Sequence, residues 1–221
     1  MKMLKSPLIL LGMASACLTA QAGTQGVNSA AALNANDSVN WAQLGSTFTV
    51  IPTPVTALSA GALDVTVSSS LGSVGRRDEG NGWAGNFTPG DQLLWNQDQS
   101  ESIDIAFATP VAGAGAQIQA DTYGPFSGTL TAYGAGLSVL DTYNFTGVSN
   151  GDNDGSAIFA GMLSSIPDIY GVSFEMDGGD LAIDTLFLNT TNTTSGVPDG
   201  GLTLALLGTA FSGMAVLRRK P

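Results

Sequence analysis

The sequence predicts an all-β fold, an antiparallel β-sandwich or jelly roll, with an N-terminal signal peptide and one C-terminal transmembrane helix attached. Three observations predict it. Short runs between Trp41 and Asn189 alternate apolar and polar residues with period two, as half-buried strands do. Gly, Asn, Asp and Pro separate those runs, where turns need special backbone angles. Charged residues are only 11% of the chain, well below the roughly 25% of an ordinary domain. Ser, Thr, Asn, Gln and 29 glycines must therefore supply much of the polar surface, a mixture suited to extracellular strands and turns.

The strands follow in order. Phe48–Ile51 and Leu63–Ser69 are the first candidates. Ile103, Ile105 and Phe107 alternate with Asp104 and Ala106, and Ile118 and Ala120 with Gln119 and Asp121. Gly128–Tyr133, Val139–Phe145 and Ser156–Met162 come next. Val172, Phe174 and Met176 alternate with Ser173 and Glu175. Leu181, Ile183, Thr185 and Phe187 alternate with Ala182, Asp184 and Leu186. That makes about ten short strands with turn signals between them, the pattern of a sandwich or jelly roll. The domain is thus expected over 41–189. Residues 23–40, rich in Ala, Asn and Ser, read as a flexible lead-in, and 190–196 as a Thr, Asn and Ser tether.

The two ends are targeting segments. Lys2 and Lys5 precede an apolar run from Pro7 to Leu18, then Ala20-Gln21-Ala22. A basic start, a short apolar core and a small-x-small site make a secretory signal peptide over 1–22. The only cysteine, Cys17, lies inside it, so the mature protein has no disulfide and no thiol chemistry. At the other end Val197-Pro198-Asp199-Gly200-Gly201 leads into an uncharged run that ends at Leu217, followed by Arg218-Arg219-Lys220. A helix over 200–217 would be about 27 Å long at ~1.5 Å per residue, just enough for a ~30 Å hydrocarbon core. The basic cluster stops transfer and stays on the cytoplasmic side, leaving the domain outside.

This tail, residues 197–221, resembles the PEP-CTERM sorting signal in a VPDGG-type variant: a short Val-Pro-acidic motif, a transmembrane helix and an Arg-rich terminus. The resemblance implies that an exosortase-type membrane enzyme processes the chain as its substrate. It also implies a Gram-negative host that makes exopolysaccharide. The protein would pass through an inner-membrane-anchored intermediate to the cell surface or extracellular matrix. Phe107-Ala108-Thr109-Pro110-Val111-Ala112-Gly113-Ala114-Gly115 resembles a strand–turn–strand common in such exported proteins. Ala182-Ile183-Asp184-Thr185-Leu186 resembles their closing strand. The likeness implies a jelly roll of galactose-binding or lectin type and suggests carbohydrate binding.

Charge and composition narrow the chemistry. Of 18 acidic residues all but Asp199 lie between Gly23 and Gly196, where Arg76 and Arg77 are the only basic ones. Such a surface repels nucleic acid and attracts divalent cations and basic partners. With no histidine, a Ser-His-Asp triad and a His-ligated zinc site are excluded. Asn150-Gly151-Asp152-Asn153-Asp154-Gly155 is either a turn built on Asn, Asp and Gly or a Ca²⁺ loop. In the second reading Asp152 and Asp154 converge on a hard cation and Asp184 adds a ligand from the final strand. Ca²⁺ is the one cofactor the sequence offers. Asp177-Gly178-Gly179-Asp180 reads as an acidic hairpin turn. Arg76 and Arg77 either grip a sugar acid or pair with Asp78 and Glu79. Trp83, in a glycine-rich loop, is a candidate sugar platform, as are Trp95, Tyr123, Tyr133 and Tyr170, although aromatics also fill cores. The function expected is therefore a non-enzymatic envelope or matrix protein that associates with exopolysaccharide. The alternatives are a secreted glycan-processing enzyme with paired carboxylates and a passive structural surface protein.

Overall fold

A computed structural model describes residues 23–97 and 101–191. The expected signal peptide and the sorting signal with its transmembrane helix lie outside the described residues. Among the described residues no helix is long and apolar enough to cross a membrane.

The chain begins with β1 (Thr24–Val27), a short helix α1 (Ala30–Leu33), β2 (Asp37–Val39) and a 3₁₀ turn at Trp41–Leu44. β3 (Val50–Pro52), β4 (Val55–Leu58), β5 (Asp64–Ser68), β6 (Ser73–Glu79) and β7 (Gly82–Trp83) follow. Then come β8 (Gln92–Trp95), β9 (Ile103–Val111), β10 (Gly113–Ala120), β11 (Gly124–Tyr133) and β12 (Val139–Ser149). The last four are β13 (Ile158–Ser164), β14 (Ile169–Met176), β15 (Leu181–Ile183) and β16 (Leu186–Asn189). They form two sheets. Sheet A has ten strands, with the path β1-β13-β10-β15-β8-β6-β3 and with β16, β2 and β7 joined to it. Sheet B has six, in the order β12-β11-β14-β9-β5-β4. Every pairing except β6 with β7 is antiparallel. The expected all-β sandwich is the observed one.

Between the sheets lies one apolar core. Val65, Val67, Ile103, Ile105, Leu130 and Phe174 reach it from sheet B, and Val74, Leu94, Ile118, Met162 and Ile183 from sheet A. The chain changes sheets with little slack: only Ala112 separates β9 in sheet B from β10 in sheet A. Strand β10 carries mostly small residues because β13 packs close to it. A Cβ on Gly115 would come within 2.6 Å of the Gly161 Cα.

Four expectations change. Residues 23–40 are not a flexible lead-in: β1 pairs with β13 and β2 with β16, while Leu33 and Val39 are fully buried. Their small polar residues conceal strands whose backbone closes the edge of sheet A. The Asp177–Asp180 turn, with Gly178 and Gly179 at positive φ, is not a hairpin. It carries the chain from β14 in sheet B to β15 in sheet A. The expected single closing strand is two. Both β15 and β16 pair with β10, but the register gains one residue between them at Asp184-Thr185, a bulge that flips the facing side. Leu181 and Ile183 face the core before it, and Leu186 and Leu188 after it. Finally, Arg76 and Arg77 lie within strand β6, where two charges had masked the strand pattern.

Candidate functional site

The two outer faces of the sandwich differ, and the difference locates the site. Over β6, β8 and β15 sheet A is covered on the outside by the glycine-rich loop that runs from Gly80 to Asp91, while Phe159 and Phe187 on the same face border an open cavity. Beneath the loop Trp83, Phe87, Leu93, Ala157 and Ala182 form a second, smaller apolar cluster. The indole of Trp83 is edge-on to Trp95 at 6.3 Å and tilted against Phe87 at 6.4 Å, both favourable aromatic geometries. Trp83 is only 6% exposed, so it is a core residue of this layer and not an exposed sugar platform.

A buried polar network pins the covering loop. Gln119 accepts from the Asn86 backbone N–H at 2.6 Å, and its amide donates to Asn86 Oδ1 at 3.0 Å and to Ser149 at 2.6 Å. The Asn86 amide donates to Asn150 Oδ1 at 2.6 Å and to Ser156 at 3.0 Å, while Asn86 Oδ1 also accepts from the Asn150 N–H at 2.7 Å. Buried amides satisfied in this way fix one arrangement, because each alternative would strand a donor or an acceptor.

The charged candidates are drawn into sheet A. Arg76 is 2% exposed and pairs with Asp78 at 2.5 Å. The Arg77 guanidinium stacks 4.4 Å from the Trp95 ring and 5.3 Å from that of Phe48, a cation–π arrangement. Arg77 shares the covered outer face with Trp95, Arg76 stands beside Leu94 on the inner face, and both are engaged within the protein. Glu79 is buried, accepts from the Gly80 and Gly85 N–H groups, and its carboxyl is raised above the ordinary range chiefly by burial. Asp184, 6% exposed, has its pKa pushed up to about 6, first by burial and also by the charge of Asp91.

The 150–155 segment is a turn, with Asn153 and Gly155 at positive φ. Asn150 Oδ1 accepts from the Asp152 N–H at 2.9 Å, and Asp154 Oδ1 from the Ser156 N–H at 3.0 Å. The Ser156 hydrogen bonds hold the Asp154 carboxyl below its usual range. Asp184 does not join Asp152 and Asp154. Among the described residues no three His, Cys, Asp or Glu side chains are grouped to hold a metal.

Sheet B is bare outside: among the described residues no hydrophobic cluster lies over it. Its registers align two outward rows. One crosses five strands as Thr142, Thr131, Ser173, Asp104 and Ser68. The next crosses six as Val139, Tyr133, Gly171, Ala106, Thr66 and Thr56. Asp104 Oδ1 accepts from the Ser173 hydroxyl at 2.6 Å and from Ser102 at 2.9 Å, so its carboxylate is held in place. Where the second row narrows to Gly171 and Ala106, a groove of about 400 Å³ opens. Tyr133, Leu137 and Tyr170 wall it, and Asp104 and Ser68 close one end. Gly171 is required there, since a Cβ would sit 2.7 Å from the Ile105 carbonyl oxygen. Leu137 is 81% exposed and Tyr170 41%. The arrangement can stack a flat, partly apolar ligand on tyrosine and meet its hydroxyls with fixed oxygen groups.

Of the expected platforms, Tyr133 and Tyr170 meet in this groove. Trp95 is tied to Asp180 by its indole N–H at 2.6 Å. Tyr123 stands at the loop end, 57% exposed, and donates to the Ala84 carbonyl at 2.8 Å. Asp104, Ser173, Ala106 and Gly171 were not singled out from the sequence. For Asp104, Ala106 and Ser173 the signal was present as the outward half of the alternation at 103–107 and 172–176; Gly171 lies just before the second run.

Two solved structures and one family model are similar to parts of the chain. The fold is similar to CsCBM6-3 from Clostridium stercorarium in complex with cellobiose, with 11% identity, a TM-score of 0.33, and coverage of 66% of this chain and 99% of that one. It is also similar to a family 6 carbohydrate-binding module, with 11% identity, a TM-score of 0.34, and coverage of 66% and 95%. No curated protein matches the sequence. Residues 196–220 match the VPDSG-CTERM motif, and this chain has Gly200 where that motif's name has Ser. The chain therefore carries a C-terminal sorting signal of the PEP-CTERM/exosortase type, the mark of a protein exported to the cell envelope or surface.

Proposed function

We propose that this protein is a non-catalytic, glycan-associating component of the cell envelope or extracellular matrix, delivered there through an exosortase-type enzyme and bound to exopolysaccharide through the outer face of sheet B. The observation that carries the reading is the asymmetry of the sandwich. A pinned loop covers the outer face of sheet A over β6, β8 and β15, and the outer face of sheet B exposes a tyrosine-walled groove beside a row of hydroxyls and a held carboxylate. Sugar rings present apolar faces for aromatic stacking and equatorial hydroxyls for such oxygen groups, so the groove's chemistry matches theirs. The sorting signal supports delivery to the surface where such polymers lie.

Catalysis is not part of the proposal. Nucleophile–histidine chemistry has no histidine to use. The groove's own carboxylate, Asp104, is engaged by two serine hydroxyls. The test is a pull-down of the full chain, solubilised in detergent, on the host cell's exopolysaccharide. Retention that Tyr170→Ala weakens at least tenfold is expected. Absence of retention overturns the proposal.

A further inference from the structure

The groove's charge environment names the class of glycan it would take, an inference that rests on the glycan reading above. Among the described residues Arg76 and Arg77 are the only cationic side chains. Both belong to β6 in sheet A, one buried against Asp78 and the other stacked between Phe48 and Trp95. Sheet B presents no cation on its open face. It presents carboxylates instead. Asp104 stands opposite Ser173 in register, and Glu175, exposed, is two residues along the same strand on the same face. Such diagonal neighbours lie roughly 7–8 Å apart. Thr129 and Asn144 continue the Glu175 row as neutral hydrogen-bonding groups.

A polyuronate or sulfated glycan would approach two carboxylates with no compensating cation, inside the field of a strongly acidic domain. A neutral glycan would gain stacking and hydrogen bonds alone. A glycan that bears free ammonium groups would add charge-assisted hydrogen bonds to Asp104 and Glu175. Asp104 is prepared for this: two serine hydroxyls already fill one oxygen and hold the carboxylate on the groove's rim. The tyrosine walls distinguish this occupant from a flexible basic peptide, since they offer flat apolar contact over the whole groove. We infer that the open face of sheet B selects a polysaccharide containing de-N-acetylated amino sugar, recognised through ammonium contacts at Asp104 and Glu175 and ring stacking on Tyr133 and Tyr170.

The experiment measures binding of the full chain in detergent to four probes at low ionic strength, below the amine pKa. They are a β-1,4-glucosamine hexamer, its fully N-acetylated counterpart, an oligouronate, and an oligolysine peptide of equal charge. The glucosamine hexamer is expected to bind at least tenfold more tightly than the acetylated one. That preference should shrink as salt approaches physiological strength, where the screening length is about 8 Å. Asp104→Asn with Glu175→Gln should reduce the preference to within about twofold while leaving the melting temperature unchanged, because both amides keep the size of the acids and Asn keeps the one oxygen, Oδ1, that the two serine hydroxyls use. Equal affinity for the two hexamers, tighter binding of the oligouronate, or equal binding of oligolysine would overturn the inference. If the host exopolysaccharide is still retained in those cases, the glycan reading survives and only the amino-sugar class falls. If nothing is retained, both fall.

Discussion

Replacement of Asn86 by Ala tests the claim that the loop over β6, β8 and β15 is locked and covers that part of sheet A. The Asn86 side chain makes four hydrogen bonds: to Asn150 Oδ1 at 2.6 Å, to Ser156 at 3.0 Å, from Gln119 at 3.0 Å and from the Asn150 N–H at 2.7 Å. Each typical hydrogen bond contributes about 1 kcal/mol net, and a stranded buried partner costs about 1–3 kcal/mol. Some partners are rescued. Gln119 retains Ser149 and the Asn150 carbonyl, and Asn150 Oδ1 retains the Asp152 N–H. The Asn150 N–H has no such substitute on the same side chain. The expected loss is therefore about 3 kcal/mol. For a domain of this size that corresponds to a fall in melting temperature of roughly 6–12 °C. Urea unfolding gives the free energy directly through the shift in midpoint at constant slope. Asn144→Ala, an exposed position on sheet B, is the control and should change stability by less than about 0.5 kcal/mol. A loss below about 1 kcal/mol for Asn86→Ala would refute the network's role, and with it the reason for calling the loop locked.

Other expectations follow from the same structure. Asp184 has a folded pKa of about 6 against an ordinary 3.8, so the folded state holds the proton more tightly than the unfolded one. Stability should therefore decline as pH rises from about 4 through 6, and Asp184→Asn should melt higher than the parent at pH 8 but equally at pH 4. The gain is on the order of 1–3 kcal/mol, at about 1.4 kcal/mol per unit; a parent-like pH profile in the variant would count against this. Leu33→Ala, in the segment expected to be loose, should cost about 2–5 kcal/mol because Leu33 is fully buried, and calorimetry showing no shift would return that segment to the status of a lead-in. Removal of residues 196–220 should shift the protein from the envelope fraction to the medium on immunoblots of cell fractions, whereas unchanged fractionation would contradict the sorting role of the tail.

Much of sheet B was legible in the sequence because its strands are half-buried and alternate strictly. Ile103-Asp104-Ile105 and Val172-Ser173-Phe174 place one face in the core and the other outside. Strands whose residues are small or charged left a weaker trace. In β10, Gly and Ala meet the close approach of β13, so their pattern carries little hydrophobic contrast. In β6, Arg76 and Arg77 read as a basic spot because their partners come from the strand itself (Asp78), from the neighbouring strand β8 (Trp95) and from the segment before β3 (Phe48). The same blindness affected Trp83. A tryptophan among glycines looks exposed until the loop is seen folded onto Leu93 and Ala182. Asp184 could not be placed because the one-residue bulge beside it changes which side faces in, and register is a property of the partner strand. The groove was half legible. Tyr133 and Tyr170 were candidates among several aromatics, but only the register of β9, β11 and β14 sets them around Gly171 and Ala106.

A groove-filling variant tests the open face of sheet B most directly. Ala106 is exposed on the groove floor, so Ala106→Trp occupies the space between Tyr133 and Tyr170 without entering the core. Its dissociation constant for the host exopolysaccharide, measured beside the parent protein with melting temperatures in parallel, separates binding from folding. A rise of at least tenfold with a melting temperature within about 2 °C of the parent is the result the open face requires. Undiminished binding by a folded Ala106→Trp protein would show that the glycan site lies elsewhere.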